Sequence, residues 1–309
     1  MDMAAITERG RTLLTWMIPV TICSLVNSVA ATIDSASLPI LLKGIHMSPA
    51  GVLEAIGALG RVNTLINVPI VISASITANL VPIIAAAFTK GDIKTAGGSV
   101  ERGMKLAMIL TAPCVAGLVA FAGSVIALIY SSSQGGNYMQ VYALMLFFSI
   151  LSNLLLNISI ALSKPMLPMI TMAIGIALKC VLNVYLVSTL GMGVIGAAVS
   201  SIIAYLVIFV INLYYIKKTF GIRLNVTSVF VKPIISALAM LVACEAAFWA
   251  VTHVMKEGRL STLVVLMVGG IAYPVALLLF KGINPDEMAE LPGAARFSKF
   301  FGKSRKAGA

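Results

Sequence analysis

The sequence predicts an all-α, polytopic membrane protein with about eight transmembrane helices. Three observations carry this expectation. Of 309 residues, 60% are hydrophobic and 11% charged, and the mean hydropathy is +1.02. Soluble domains are about one quarter charged, so apolar side chains in this excess need lipid as their solvent. The apolar residues fall into eight stretches, each long enough for the roughly 20 residues that a spanning helix requires. With the N-terminus placed in the cytoplasm, 17 of the 22 Lys and Arg fall in inner segments and 3 in outer ones, the asymmetry expected of a multi-pass cell-membrane protein. The net charge of +11 is therefore topological and faces anionic membrane lipids. It is spread over five segments without interleaved aromatics, which argues against a nucleic-acid partner.

The stretches are 13–42, 54–88, 104–130, 138–162, 166–188, 192–216, 229–254 and 260–281. The first two are long for one span. Pro39 near the end of the first, and Pro69 and Pro82 within the second, mark places where tilt, a kink or an interfacial extension takes up the excess. The third holds Pro113, which lipid tolerates where neighbouring helices satisfy the freed carbonyl. The inner connection between the second and third spans carries Lys90, Lys94, Arg102 and Lys105. Residues 1–12 read as a polar cytoplasmic segment, and the apolar run after them is too long for a cleaved signal peptide. Residues 284–309 begin acidic and turn basic, which predicts a cytoplasmic amphipathic and basic tail. An even number of spans places both termini in the cytoplasm.

Catalytic chemistry finds no support. Cys23, Cys114, Cys180 and Cys244 lie far apart inside apolar runs, and His46 and His253 lie at the ends of such runs. This pattern is that of small buried hydrophobes and surface histidines, with no metal site and no cofactor. Gly191-Met192-Gly193-Val194-Ile195-Gly196 matches a dinucleotide fingerprint in letters only, because it joins two apolar helices and follows no strand. It reads as a tight turn, with Gly196, Ala197 and Ala198 allowing close packing of the next helix. No catalytic residue is assigned, and the chain is read as a non-enzyme.

Charge inside lipid is the informative feature, since such groups cost several kcal/mol unless paired or hydrated. Four residues qualify: Asp34, Arg61, Lys179 and Glu245. Asp34 and Arg61 fall at similar depth on consecutive helices, able to pair or to line one cavity. Lys179 falls near mid-membrane, and Glu245 mid-to-outer in the seventh span. A basic cavity suits an anionic substrate such as a phosphate. Eight asparagines within spans (Asn27, Asn63, Asn67, Asn79, Asn153, Asn157, Asn183 and Asn212) read mainly as interhelical hydrogen-bonding groups.

Two groups of motifs carry a family resemblance. Ile18-Pro19-Val20-Thr21-Ile22 and Ile33-Asp34-Ser35 are followed by Gly60-Arg61, Leu65-Ile66-Asn67-Val68-Pro69, Leu80-Val81-Pro82-Ile83 and Lys90-Gly91-Asp92. Gly175, Lys179, Asn183, Gly191, Gly196-Ala197-Ala198 and Tyr205 continue the series. In order and spacing, over about 13–280, the chain resembles the second half of stage V sporulation protein B–like polysaccharide flippases and lipid II flippases. These belong to the multidrug/oligosaccharidyl-lipid/polysaccharide exporter superfamily. The resemblance implies one six-helix lobe plus a terminal helix pair of a MATE-like two-lobe transporter fold. The lobe would be 13–217 and the pair 218–283. It implies alternating-access transport of undecaprenyl-phosphate-linked oligosaccharide or peptidoglycan precursor, with the diphosphate-sugar head in a cationic cavity. By the same resemblance Arg61 matches a basic residue of the lipid II flippases, Lys179 a position commonly basic in the sporulation-type relatives, and Asp34 their first-helix acid.

The partners so implied are a lipid-linked sugar phosphate, membrane lipids, and either a first lobe lying outside this chain or a second copy. The competing readings are a cation-coupled multidrug exporter of the same superfamily and a non-transporting membrane scaffold or fragment. Cavity candidates at least as basic as acidic, together with the terminal helix pair, favour the flippase over the drug exporter.

Overall fold

The structure, a computed structural model, describes residues 35–162, 166–221, 224–254 and 258–283. Among them the chain is helical without strands. Seven helical segments are long and apolar enough to cross a membrane. Of the first predicted span only the end is described: α1 covers 35–44. The remainder, with Asp34 and Cys23, and both terminal segments lie outside the described residues.

α2 runs Pro49–Thr89 without interruption through Pro69 and Pro82. It begins five residues earlier than the hydropathy indicates, because Ser48 Oγ accepts the Gly51 N–H at 3.1 Å and proline takes the first helical position, where its missing N–H costs nothing. Its 41 residues amount to roughly 60 Å, about twice the hydrocarbon thickness.

The third span departs from expectation at both ends. α3 is Ile93–Ala120, opened by Asp92, whose carboxylate accepts the Thr95 N–H at 3.0 Å. The hydrogen bonds from Thr95 hold the Asp92 carboxyl below its ordinary range, so the cap is in place at neutral pH and is lost as acid protonates it. Lys94, Arg102 and Lys105 therefore sit in the helix rather than in the connection, and Lys105 is buried. At the far end Phe121, with φ −112° and ψ 26°, breaks the helix, and a separate α4 follows at Ala122–Tyr130. The remaining helices fall close to the predicted stretches. They are α5 Gly136–Ala161, α6 Met166–Asn183 with a π-helical turn at Val184–Thr189, and α7 Gly193–Phe220. A π-helical turn at Thr227–Val231 leads into α8 Lys232–Val254, and α9 is Arg259–Leu279.

α5 is the central post. It packs on α2, α3, α4 and α7, and 67% of its most apolar window is buried, against 22% for the helix of α8. Leu146, Leu151, Leu154 and Ile158 of α5 pack into the core with Met104 and Met108 of α3 and Ile66 and Ile84 of α2. α6 lies on α7, and Gly175 leaves room for the Ile208 side chain: a Cβ there would fall 2.4 Å from Ile208 Cδ1.

α8 and α9 form a hairpin leaning on α3 and α4. Lys232 Nζ donates to the Lys281 carbonyl at 2.9 Å at one end. At the other, Arg259 Nη2 donates to Ser131 Oγ, and Phe248 meets Phe121 at a ring distance of 6.0 Å.

The Gly191–Gly196 segment is the turn expected. Gly191 and Gly193 have φ of +64° and +56°, values that side chains rarely adopt. Gly196 abuts backbone: a Cβ there would lie 3.0 Å from the Leu186 carbonyl carbon and 3.1 Å from the Val187 nitrogen. Gly196→Ala should therefore lower stability by about 1–3 kcal/mol, read as a fall in the apparent Tm in detergent by circular dichroism. Gly98→Ala, with open space around its Cβ, should cause no fall.

Candidate functional site

Lys179 projects from α6, the fourteenth residue of a helix beginning at Met166, roughly 20 Å along its axis. It is half-buried and lines a cavity of about 420 Å3 between α1, α2, α5, α6 and α7. Asn63 and Asn67 of α2, Ser149 and Tyr142 of α5, and Ser201 and Tyr205 of α7 supply the polar part of the wall. Lys179 is the one Lys, Arg, Asp or Glu among the described residues lining it. A single ammonium set among amides and hydroxyls, with no carboxylate among the described lining residues, favours an anion.

The frame holding this wall is polar as well. Asn183 accepts the Ser200 hydroxyl, joining α6 to α7. Asn212, fully buried, donates Nδ2 to Thr171 Oγ1 at 3.1 Å. Ser152 Oγ donates to the Tyr205 carbonyl at 2.8 Å, tying α5 to α7 beside the cavity. Asn183 and Asn212 thus do bond between helices, as the sequence leads one to expect. Asn63 and Asn67 instead face the cavity, and Asn153 and Asn157 bond back to their own helix.

Arg61 does not line this cavity. Gly60 and Asn63 are on its wall, and Arg61, one position from Gly60, turns away towards the α4–α5 connection. Its Nη2 donates to Gln134 Oε1 at 3.3 Å, and Gln134 Nε2 donates to Glu54 Oε1 at 2.7 Å. Its Nε is buried and meets no acceptor among the described residues. Glu54 and Gln134 border a second, wider cavity of about 770 Å3 where the α1–α2 and α4–α5 connections meet. Neither was a sequence candidate. Gln134 lies in Ser131-Ser132-Ser133-Gln134-Gly135-Gly136, which reads as a turn, and its partners are 73 and 80 positions away. Glu245 stands exposed on α8, apart from both cavities. The described residues hold no cluster of His, Cys, Asp or Glu able to bind a metal ion.

Comparisons with known proteins agree with this architecture. The solved "Lipid II flippase MurJ, inward closed conformation" is similar with a TM-score of 0.67 and 15% identity, over 88% of this chain and 55% of that one. A crystal structure of MATE in complex with MaD5 is similar with a TM-score of 0.57 and 18% identity, over 92% and 68%. At these identities the likeness concerns the fold, an all-α polytopic membrane fold. Three proteins of Bacillus subtilis (strain 168) are similar in sequence. The uncharacterized membrane protein YabM is 23% identical over 97% of this chain and 57% of its own length. Lipid II flippase MurJ is 24% identical over 80% and 46%, and stage V sporulation protein B is 24% identical over 75% and 45%. The chain spans about half the length of these curated relatives. The family described as lipid II flippase MurJ matches residues 3–269, and the chain, a multi-pass membrane protein, belongs to that family.

Proposed function

We propose that this chain forms the second half of a lipid-linked oligosaccharide or peptidoglycan-precursor flippase. Residues 13–217 would be one lobe, residues 218–283 the terminal helix pair, and a facing lobe, in covalent continuity or from another copy, would close the cavity. Transport follows by alternating access, each lobe rocking against the other. The observation that carries the reading is Lys179 on the wall of a cavity whose other described lining residues are neutral. Its ammonium would hold the diphosphate of the lipid carrier while the isoprenoid remains in the bilayer. Arg61, turned towards Gln134 and the α4–α5 connection, takes no direct part in holding the diphosphate. Asp34 and Glu245 are left out of this reading. The relatives' names, lipid II flippase among them, support it. The likeness to MATE structures supports a multidrug exporter as the second reading, but a site that selects cationic drugs is better served by acidic groups than by Lys179.

Two experiments test this. Purified protein titrated with heptaprenyl diphosphate by native mass spectrometry should lose about tenfold in affinity on Lys179→Ala, the order of one charge-assisted hydrogen bond. Lys179→Arg should keep most of it, and heptaprenol should bind both forms alike. Undiminished diphosphate binding by Lys179→Ala would sink the assignment. The orientation, with the Lys217 and Lys218 end of α7 cytoplasmic, is checked by thiol labelling in a cysteine-free background. Ser133→Cys should react with an impermeant maleimide in intact cells, and Lys218→Cys only after permeabilisation. The reverse pattern inverts the topology.

A further inference from the structure

A third cavity, of about 380 Å3, lies between α2 and α5 towards their Thr89 and Ala161 ends. It shares Ile70 with the Lys179 cavity, so the two follow one another along α2. Its polar lining is Ser73, Thr77, Asn153 and Asn157, and its described lining includes no Lys, Arg, Asp or Glu. Each of three of these groups gives a hydrogen to its own helix one turn back. Asn153 Nδ2 donates to the Ser149 carbonyl at 2.9 Å, Asn157 Nδ2 to the Asn153 carbonyl at 2.7 Å, and Thr77 Oγ1 to the Ser73 carbonyl at 3.2 Å.

These bonds fix what remains. A carbonyl neighbour demands the amide nitrogen, so each asparagine's Oδ1 is the atom left over, with one further N–H. The threonine hydroxyl, its hydrogen already committed, retains only lone pairs. The cavity thus offers an uncharged surface richer in acceptors than in donors. Among the described lining residues a phosphate finds no cation, and a metal ion or organic cation finds no carboxylate. A neutral ligand bearing several O–H or N–H donors fits best, and Ile70 and Ile150 provide apolar surface for the C–H face of a ring. The size lies in the lower part of the roughly 300–1,000 Å3 range of small-ligand sites.

We propose that this cavity is a carbohydrate subsite. Asn153, Asn157 and Thr77 accept hydrogen bonds from hydroxyl and acetamido groups of the first sugar, while Lys179 holds the diphosphate in the adjoining cavity. The inference rests on the flippase reading above and gives α5 the role of choosing the sugar.

The test compares two probes on the purified full chain, heptaprenyl diphosphate and heptaprenyl-diphospho-N-acetylglucosamine. Asn153→Leu and Asn157→Leu should each weaken the sugar-bearing lipid roughly two- to tenfold, the range of one neutral hydrogen bond. Binding of the sugar-free lipid should stay unchanged, which also shows the variant is folded. Unchanged affinity for the sugar-bearing lipid overturns the proposal. So does equal weakening of both lipids in a variant whose thermal unfolding is unaltered. Should Asn153→Leu fail to fold, Asn157→Leu decides alone, since that side chain is exposed. If Lys179→Ala leaves sugar-free binding intact, the phosphate reading falls, and the selectivity of the asparagine variants still decides this one.

Discussion

In hydrocarbon, a polar group must find its partner within the protein or face a cavity that water can enter. The arrangement of α5, α6 and α7 follows from that requirement. Asn183 meets Ser200, Asn212 meets Thr171, and Ser152 meets the Tyr205 carbonyl. Each contact removes a polar group from the lipid and fixes the register of one helix on the next. Small residues make those contacts reachable. At Gly175 and Gly196 the neighbouring helix or turn stands where a side chain would otherwise be, and dispersion between closely packed backbones replaces the hydrophobic force that lipid does not supply. What the network leaves on the cavity wall is Lys179, set among described residues that are otherwise neutral.

The two cations singled out by the sequence end in different electrostatic settings. Arg61 is tethered to Gln134, and the acid Glu54 lies beyond that amide rather than against the guanidinium. The amide holds the side chain in place while keeping carboxylate and guanidinium from direct contact. Arg61 thereby keeps a positive field that a tight Arg–Glu pair would have cancelled. Lys179 is the single charged group among the described residues lining its cavity.

The spans and the tight turn could be read from the sequence because their causes are local. Hydropathy over a window of one helix marks a span, and the positive φ of Gly191 and Gly193 needs glycine wherever it occurs. Lys179 could be singled out for the same reason, since an ammonium in an apolar helix is costly without reference to any neighbour. The start of α3 could not. Its charged residues Lys94, Glu101, Arg102 and Lys105 lower the hydropathy of a segment that is helical all the same. The helix is capped by Asp92 and held by non-local contacts, among them Glu101 Oε1 accepting the Asn225 N–H at 3.1 Å. The break at Phe121 was equally hidden, because an apolar run of this length conceals one non-helical residue. The Glu54–Gln134–Arg61 chain joins two distant segments, and no spacing rule connects them.

α2 borders all three cavities described above: Glu54 and Ala58 on the widest, Asn63 and Asn67 on the lysine-bearing one, Ser73 and Thr77 on the third. Its two prolines each remove a backbone donor, leaving the Leu65 and Ala78 carbonyls without their usual intrahelical partner. Pro69 falls where the lysine-bearing cavity and the third adjoin, beside the shared Ile70. A helix lacking a hydrogen bond at such a point bends there more readily than along an unbroken stretch. A bend at Pro69 would change how those two chambers line up along the helix.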